Sequence, residues 1–313
     1  MKKLVLLSGS SNVALSEKIS SLLNVPLTNV LTTTFSNGER RVEILDNVRN
    51  CDVFVLQSAS NMVNDHLMEL LLLLDALKRS SCFRVTTVLP CMPYSRDDRK
   101  MKSRVPIAAK LVSNLVTTAG TDRFLTSELH APQIGGFFDI PVDNLHMFKV
   151  FIPKIKEEHP NNNICIVAPD AGSIKVAKSY AGKLNCDVAM IYKHRSGPGK
   201  IDEMKLIGEV KNKTCIIVDD MVDSGGTLIK AANLLTSNGA ASVECYCAHA
   251  VLSGEAVENI ARSFMKKLYV TDTIDNPKTK LHGNIEVLSA APLFAEAIYN
   301  INQEISLSHL FND

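Results

Sequence analysis

Two adjacent acidic residues, Asp219 and Asp220, directly follow a short apolar run, and a small loop with two glycines follows them. The run, residues 214–218, has the apolar and β-branched composition of a buried strand that is expected to end at these acids. Residues 223–227 read Asp-Ser-Gly-Gly-Thr, and helical spacing begins at the end of this loop. Glycines let the backbone approach a ligand closely, and N–H groups at a helix start bind anions. The loop therefore suits a phosphate group.

The two carboxylates need a different partner, because a phosphate placed beside them would be repelled. Sugar hydroxyls or a metal-bound ligand match Asp219 and Asp220 better. A sugar phosphate satisfies both demands, with its diol on the acids and its phosphate on the loop. The loop residues that would hold it are Asp223, Ser224, Gly225, Gly226 and Thr227. The alternative is an ordinary strand, turn and helix in which Asp223 caps the helix.

Short apolar runs alternate with longer segments of helical spacing along the whole chain. The expected strands are residues 3–7, 53–57, 85–89, 123–126, 164–168, 188–192, 215–218, 242–248 and 267–270. The clearest expected helices are residues 64–78, 107–119 and 227–238. This alternation predicts an α/β fold with largely parallel sheets and helices on both faces. Ligands of such sheets bind beyond the carboxyl ends of the strands, which is where the acids and the loop would lie.

The length of 313 residues and a weak internal repeat indicate two domains. Residues 85–90 and 164–169 are both strand-like runs that end in Pro, and each leads into a polar loop. We place the first domain at residues 1–146 and the second at residues 147–288. Periodicity does not decide whether the tail, residues 289–313, returns to pack on the first domain.

The composition argues against several classes of protein. The formal net charge is only +1, so no broad nucleic-acid surface is expected. The leucine run at residues 70–74 lies between Glu69 and Asp75 and is far shorter than the ~20 residues of a membrane span. It predicts a buried helix instead. The 8 cysteines form no CxxC pair, which favours a reducing, cytoplasmic location.

Residues 214–227 resemble the phosphoribosyl-binding motif of type I phosphoribosyltransferases and of ribose-phosphate diphosphokinases. Further segments resemble the diphosphokinases specifically, and together they extend over essentially the whole chain. These segments are residues 8–11, 35–39, 90–96, 129–131, 136–145, 168–172, 193–195 and 306–311. The resemblance implies two tandem type I phosphoribosyltransferase-like domains, each a mainly parallel sheet flanked by helices. It also implies Mg²⁺-dependent transfer of the β,γ-diphosphate of ATP to the 1-hydroxyl of ribose 5-phosphate.

The resemblance assigns the first domain to ATP. The residues that would bind ATP are Phe35, Asn37, Gly38, Glu39, Arg96 and Asp97. Phe35 would pack against adenine, and the planar guanidinium of Arg96 would bind phosphate oxygens. From residue type alone, Phe35 could equally be a core aromatic and Arg96 a solvated charge. In this family a neighbouring subunit completes the ATP site, and dimers assemble into hexamers.

The resemblance also makes His130 and Asp170 ligands of Mg²⁺. Imidazole is an unusual Mg²⁺ ligand, so residue chemistry alone favours a satisfied loop histidine at His130. Lys193 and Arg195 precede a loop rich in Gly and Pro and would stabilise the transition state, with Arg195 also contacting ribose 5-phosphate. The alternative for this pair is an ordinary surface loop.

Several residues depart from the family pattern. Asp97 stands where the family usually has Gln, and Met101 replaces a usual Asp. Pro132 and Gly135 replace polar residues that contribute to an allosteric ADP site in the common class, so we expect weak or altered ADP inhibition. Two alternative functions remain: a phosphoribosyltransferase, and a non-catalytic regulatory subunit of a synthetase complex.

Overall fold

The computed structural model describes residues 2–58, 61–194 and 203–311. The chain forms two compact units. The first contains Met1–Met147, Thr273–Asp275 and Ser289–Asp313, and the second contains Phe148–Asp272 and Asn276–Leu288. Each unit has its own largely parallel sheet with helices packed against it. The α/β fold expected from the sequence is therefore confirmed.

The main sheet of the first unit is parallel throughout. Its strands, in spatial order, are β1 (Leu4–Ser8), β4 (Asp52–Leu56), β5 (Arg84–Leu89), β6 (Arg123–Ser127) and β7 (Val142–Leu145). A separate antiparallel hairpin is formed by β2 (Val30–Thr34) and β3 (Arg40–Ile44). Every residue of β4 is buried, as expected for an inner strand of a parallel sheet that is covered on both faces.

Helices cover this sheet and the hairpin. They are α1 (Val13–Leu23), α2 (Val63–Arg79), α3 (Ala108–Ala119), α8 (Ala291–Asn302) and the short α9 (Ser308–Phe311). The leucines of α2 recur at helical spacing, and Leu70, Leu73, Leu74 and Leu77 are completely buried in the core of this unit. α8 packs against α1, so the C-terminal tail is part of the first unit.

A buried ion pair fastens this tail to the sheet. Asp52 is 1% exposed and accepts hydrogen bonds from Arg84 at 2.8 and 2.6 Å. The Asn302 amide donates to the same carboxylate at 2.9 Å, and Arg84 also donates to the carbonyl oxygen of Ile301 at 3.0 Å. The end of α8 is thus hydrogen-bonded to the amino ends of β4 and β5.

The sheet of the second unit is parallel except at one edge. Its strands, in spatial order, are β10 (Glu203–Ile207), β9 (Asp187–His194), β8 (Ile164–Ala168), β11 (Thr214–Val222), β12 (Ser242–Ala250), β13 (Met265–Thr271) and β14 (Ile285–Leu288). Only β10 runs antiparallel to its neighbour, β9, among these described strands. The helices of this unit are α4 (Phe148–Glu158), α5 (Ile174–Leu184), α6 (Gly226–Ser237) and α7 (Ala256–Ala261).

The connections of the second sheet reverse direction between β8 and β11. From β8 the chain passes through α5 to β9 on one side, whereas from β11 it passes through α6 to β12 on the other side. The chain therefore leaves β8 and β11 in opposite directions across the sheet, which makes the carboxyl edge between these two strands a topological switch point. Such a switch point is the usual ligand site of an open α/β sheet.

The structure corrects one boundary expected from the sequence. β11 does not end at Asp219 and Asp220 but continues to Val222, because its ladder with β12 continues through the pairs Asp219↔Cys247 and Val222↔Ala250. The two acids are therefore held on a strand rather than in a loop. Across residues 2–58, 61–194 and 203–311, no helix combines the length and the apolarity needed to cross a membrane.

Candidate active site

Asp219 and Asp220 lie where β11 extends past its neighbour β8. Pairing between these two strands stops at Ile217↔Val167, so the next residues of β11 lie at the switch point, beyond the ladder with β8. Burial raises the pKa of the Asp219 carboxyl well above its ordinary value of 3.8, the charge of Asp220 raises it further, and Asp170 adds a smaller contribution. This concentration of like charge would be relieved by a ligand that donates hydrogen bonds or carries positive charge.

Asp170 belongs to the same edge because it lies in the loop that follows β8. Its side chain is exposed, and a tight turn holds it in place. Ser173 donates its backbone N–H to Asp170 Oδ1 at 3.1 Å and its hydroxyl to the Asp170 carbonyl oxygen at 3.0 Å. The structure therefore brings Asp170, Asp219 and Asp220 to one edge of the second sheet.

The Gly-Gly loop follows β11 and leads directly into α6. Gly225 has a φ of +74°, and a Cβ at this position would lie 3.2 Å from the Ile260 side chain, so the loop requires glycine here. Gly225 also occupies the cap position of α6, where it has no side chain to accept a hydrogen bond. The residue at the cap position is therefore Gly225 and not Asp223.

The start of α6 has the features of an anion site. The first turn carries no acidic residue, and the backbone N–H groups there have no intrahelical acceptor. Ser224, Gly226 and Thr227 are exposed. The backbone after β12 holds this loop in place, because Ser253 donates its backbone N–H to the Asp223 carbonyl oxygen at 3.1 Å.

Residues 35–39 form the tip of the β2–β3 hairpin in the first unit. The turn is closed by a hydrogen bond from Phe35 N–H to the Glu39 carbonyl oxygen at 2.8 Å, and the Asn37 side-chain oxygen accepts the Glu39 N–H at 3.1 Å. Gly38, at φ +91°, makes the turn possible. Phe35 is 51% exposed, so it is not a core aromatic. An exposed ring at a hairpin tip suits stacking on a planar ligand.

Arg96 and Asp97 lie in the segment after β5. Arg96 is exposed and Asp97 is partly buried. The Asp97 backbone accepts the N–H of Ala109 at 3.1 Å, which ties this segment to the start of α3. The neighbouring Asp98 accepts a hydrogen bond from Gln133 at 2.7 Å. Gln133 belongs to the short 3-10 helix Pro132–Phe137, so the residues that depart from the family pattern are connected to the segment that carries Arg96.

His130 follows β6, the neighbour of β5, and its side chain is exposed. Polar contacts fix the backbone before it. Glu128 accepts the backbone N–H of Met147 at 2.6 Å and contacts His146 Nδ1 at 3.4 Å. The hydrogen bond to Glu128 raises the pKa of His146. Because β5 and β6 are adjacent and parallel, Arg96 and His130 follow the same edge of the first sheet.

The structure places only part of the expected catalytic pair. Lys193 lies near the end of β9, where its backbone pairs with Met204 of β10. β9 continues past the last residue of β8 that it pairs with, Ala168, so Lys193 follows the carboxyl edge of the second sheet. The Lys193 side chain and all of Arg195 lie outside the described residues.

Sequence reasoning missed a buried polar network in the first unit. Glu69 of α2 is completely buried, and its carboxylate accepts hydrogen bonds from Ser10 and from the Gln57 amide. From the sequence, Glu69 was a charged flank of the leucine run. Its spacing to Leu73 and Leu77 was the available signal, since steps of four residues place all three on the same face of a helix.

Comparisons with known proteins cover both units. Residues 4–120 match the family model of the N-terminal domain of ribose phosphate pyrophosphokinase, and residues 149–277 match the phosphoribosyl transferase domain. The ribose-phosphate pyrophosphokinase of Rhizobium meliloti (strain 1021) is 48% identical over 307 residues, which cover 97% of this chain and 99% of that protein. The ribose-phosphate pyrophosphokinase of Clostridium tetani (strain Massachusetts / E88) is 45% identical over 313 residues, covering 99% of this chain and 98% of the other.

A solved structure agrees with these relatives over both units. The crystal structure of phosphoribosylpyrophosphate synthetase from Mycobacterium smegmatis matches with a TM-score of 0.92 at 39% identity, and the match covers 97% of this chain and 100% of that chain. Both expected phosphoribosyltransferase-type domains are therefore confirmed. The chain belongs to the ribose-phosphate pyrophosphokinase family, transferases of nucleotide biosynthesis.

Proposed function

We propose that this chain transfers the β,γ-diphosphate of ATP to the 1-hydroxyl of ribose 5-phosphate, giving 5-phosphoribosyl 1-diphosphate and AMP. The observation that carries the proposal is the edge of the second sheet, where Asp170, Asp219 and Asp220 lie together and β11 leads into the start of α6. A sugar phosphate is a ligand whose hydroxyls and ester match both features. The named relatives support the same reaction class.

Ribose 5-phosphate would bind through two kinds of contact. Its hydroxyls donate hydrogen bonds to the carboxylates of Asp219 and Asp220, which are otherwise crowded by like charge. Its phosphate accepts hydrogen bonds from the backbone at the start of α6. The residues that bind it are Asp223, Ser224, Gly225, Gly226 and Thr227, joined by Arg195.

ATP would bind through the first unit. Phe35 stacks on adenine, and Asn37, Gly38 and Glu39 bind the base edge or the ribose. Arg96 neutralises phosphate oxygens. Asp97 lies in the same segment, and its backbone contact with α3 holds this segment against the unit.

Mg²⁺ fits the residues present. Within the described part of the chain, no three His, Cys, Asp or Glu side chains are grouped to hold a metal ion. Mg²⁺ commonly takes only one or two protein ligands and completes its shell with water and substrate phosphates. Asp170, exposed beside two further carboxylates, is a suitable oxygen ligand in the second unit, and His130 would be a ligand for Mg²⁺ in the first unit, on the ATP side. Bound Mg²⁺ would offset the charge of the phosphate oxygens.

The reaction needs positioning and charge neutralisation rather than covalent catalysis. The 1-hydroxyl oxygen of ribose 5-phosphate attacks the β-phosphorus of ATP and loses its proton. The bond between this phosphorus and the oxygen that bridges to the α-phosphate breaks, and AMP leaves with that oxygen. Lys193 and Arg195 stabilise the charge on the transferred group, and Arg96 stabilises the charge on the leaving AMP.

The working protein would be a homo-oligomer, with dimers assembling into a hexamer in the cytoplasm. The hairpin that carries Phe35 forms its own small sheet with an exposed tip, which suits a site that a neighbouring subunit completes. Sedimentation or light scattering of the purified protein tests the assembly.

An assay of AMP release tests the reaction. AMP and 5-phosphoribosyl 1-diphosphate should form from ATP only when both ribose 5-phosphate and Mg²⁺ are present. A phosphoribosyltransferase would consume 5-phosphoribosyl 1-diphosphate and release no AMP, and a non-catalytic subunit would show no turnover. Lys193→Ala should reduce turnover strongly, and unchanged turnover would reject its catalytic role.

A further inference from the structure

Glu69 is a completely buried carboxylate on an otherwise leucine-lined helix face. A buried charge is costly unless it is paired and hydrogen-bonded. Glu69 Oε1 accepts the backbone N–H of Ser10 at 2.6 Å, and Glu69 Oε2 accepts the Ser10 hydroxyl at 2.7 Å. The Gln57 amide donates to Glu69 Oε1 at 3.3 Å. Both oxygens of the carboxylate are therefore used to hold neighbouring loops.

These loops follow two adjacent strands of the first sheet. Ser10 lies after β1, and Gln57 lies after β4. Gln57 also accepts the backbone N–H of Ser11 at 3.0 Å, and a Cβ on Gly9 would lie 2.6 Å from the Gln57 side chain. The loop after β1 therefore rests directly on the Gln57 amide, which donates to Glu69 and, at 3.1 Å, to the carbonyl oxygen of His66.

The same carboxylate reaches the hairpin through Arg40. The Arg40 guanidinium lies 3.8 Å from Glu69 Oε2, and its side chain is 16% exposed. Arg40 also donates to the Thr34 hydroxyl at 3.3 Å, so it joins the two strands where the tip begins and ends. The orientation of residues 35–39 consequently depends on a contact between Arg40 and α2.

We propose that Glu69 is a positioning residue for nucleotide binding. It fixes the base of the hairpin through Arg40 and the loop after β1 through Ser10, and so sets where Phe35 stands relative to the first sheet. Because Glu69 is buried, it acts through these residues rather than on the substrate. The inference rests on the proposed function, which assigns the hairpin tip to ATP.

The test is Glu69→Gln, which keeps the side-chain volume and removes the charge that attracts Arg40. The KM for ATP should rise about tenfold, while kcat changes less than about twofold and the KM for ribose 5-phosphate stays unchanged. Arg40→Met should give a similar rise, and Arg40→Lys should recover part of the loss. The KM for ATP of the double variant should be no higher than that of the stronger single variant, because both changes remove the same contact between Arg40 and Glu69.

Asp52→Asn is the matched control. Asp52 is also a buried carboxylate paired with an arginine in the first unit, but it lies at the amino end of β4, whereas Gln57 follows the carboxyl end. A purely structural change of this kind should lower the melting temperature and leave the KM for ATP unchanged. If Glu69→Gln does not fold, Ser10→Ala removes one hydrogen bond at an exposed residue and should raise the KM about threefold.

Two further measurements separate this inference from the function on which it rests. Phe35→Ala in an enzyme that releases AMP must raise the KM for ATP; if it does not, the nucleotide assignment of the hairpin fails, and the role of Glu69 fails with it. Calorimetric binding of a non-hydrolysable ATP analogue should weaken about tenfold in Glu69→Gln. If Phe35→Ala weakens ATP binding but Glu69→Gln behaves like Asp52→Asn, the positioning role is overturned.

Discussion

The backbone N–H of Asp220 donates a hydrogen bond to Asp219 Oδ1 at 3.0 Å, yet the pKa of the Asp219 carboxyl is raised. Burial is the largest cause, and the charge of Asp220 is the next. Asp219 therefore disfavours its ionised form, which is the better hydrogen-bond acceptor. If Asp219 binds sugar hydroxyls as proposed, ligand binding and proton release at this carboxyl are linked.

This linkage gives the protein without substrate a defined pH dependence. The folded state holds the Asp219 proton more tightly than the unfolded chain, so its contribution to stability falls as pH rises from about 3.8 towards the raised folded value. Asp219→Asn should therefore make the free protein more stable at pH 7 and weaken the binding of ribose 5-phosphate. Urea unfolding at several pH values and calorimetric titration would measure the two effects.

An exposed acid provides the control for that experiment. Asp139→Asn should leave the free energy of unfolding at pH 7 unchanged, since Asp139 lies on the surface of the first unit. A variant at Asp219 that is less stable than the parent at pH 7 would contradict the raised pKa.

Gly225 and Gly226, in the loop proposed to bind phosphate, should respond differently to substitution by alanine. Gly225→Ala places a side chain at φ +74° and close to Ile260, and should lower the free energy of unfolding by about 1–2 kcal/mol. Gly226 is the first residue of α6, and a Cβ at this position would lie 3.8 Å from the Ser224 hydroxyl oxygen. Gly226→Ala should therefore fold normally. Both variants should bind ribose 5-phosphate less tightly, as measured by calorimetry. Equal melting temperatures for the two would contradict the strain at Gly225.

Removing the charge of Asp52 should loosen the C-terminal tail. Asp52→Asn leaves Arg84 without its counter-ion and should lower the free energy of unfolding by about 2–4 kcal/mol, as measured with urea. Asp75→Asn breaks an exposed aspartate–arginine pair on α2 and should have no measurable effect. Hydrogen exchange in α8 should accelerate only in the Asp52 variant. Unchanged protection of α8 would mean that packing on α1 alone holds the tail.

The contact between Glu128 and His146 should be visible in the pH dependence of stability. The pKa of His146 is raised above 6.5, so its contribution is fully present below pH 6.5 and is lost as pH rises through the folded value. Glu128→Gln should lower the His146 pKa in an NMR titration and destabilise the protein more at pH 6 than at pH 9. Glu296→Gln breaks the exposed contact to His309 and should leave the stability unchanged at both pH values.

Periodic and compositional signals predicted the core elements well. The expected strands and helices all correspond to observed elements, because runs of buried aliphatic residues carry the pattern. The hairpin was missed since its strands are largely polar and each of their residues is partly buried or exposed, with none fully buried. The end of β11 was misplaced because Asp219 and Asp220 look like strand-ending residues, whereas the ladder to β12 continues through them.

The residues of the candidate sites also divide into those that the sequence predicts and those that it does not. The Gly-Gly loop and its acids could be read from the sequence, because contiguous residues carry that chemistry. The network of Ser10, Gln57 and Glu69 could not, since its members lie up to 59 positions apart and meet only when β1, β4 and α2 pack together. Glu69 also has the residue type of a solvated flank, and tertiary packing overrides that preference.

The placement of α8 in the first unit affects how the chain is made. Asn302 and Asp52 are 250 positions apart, and synthesis proceeds from the amino end. The second unit uses no residue beyond Leu288, so all of its segments leave the ribosome earlier. The amino-terminal unit, although most of it is translated first, therefore obtains α8 only after the whole second unit has been made. Until then the surface of α1 that α8 covers would be open to chaperones.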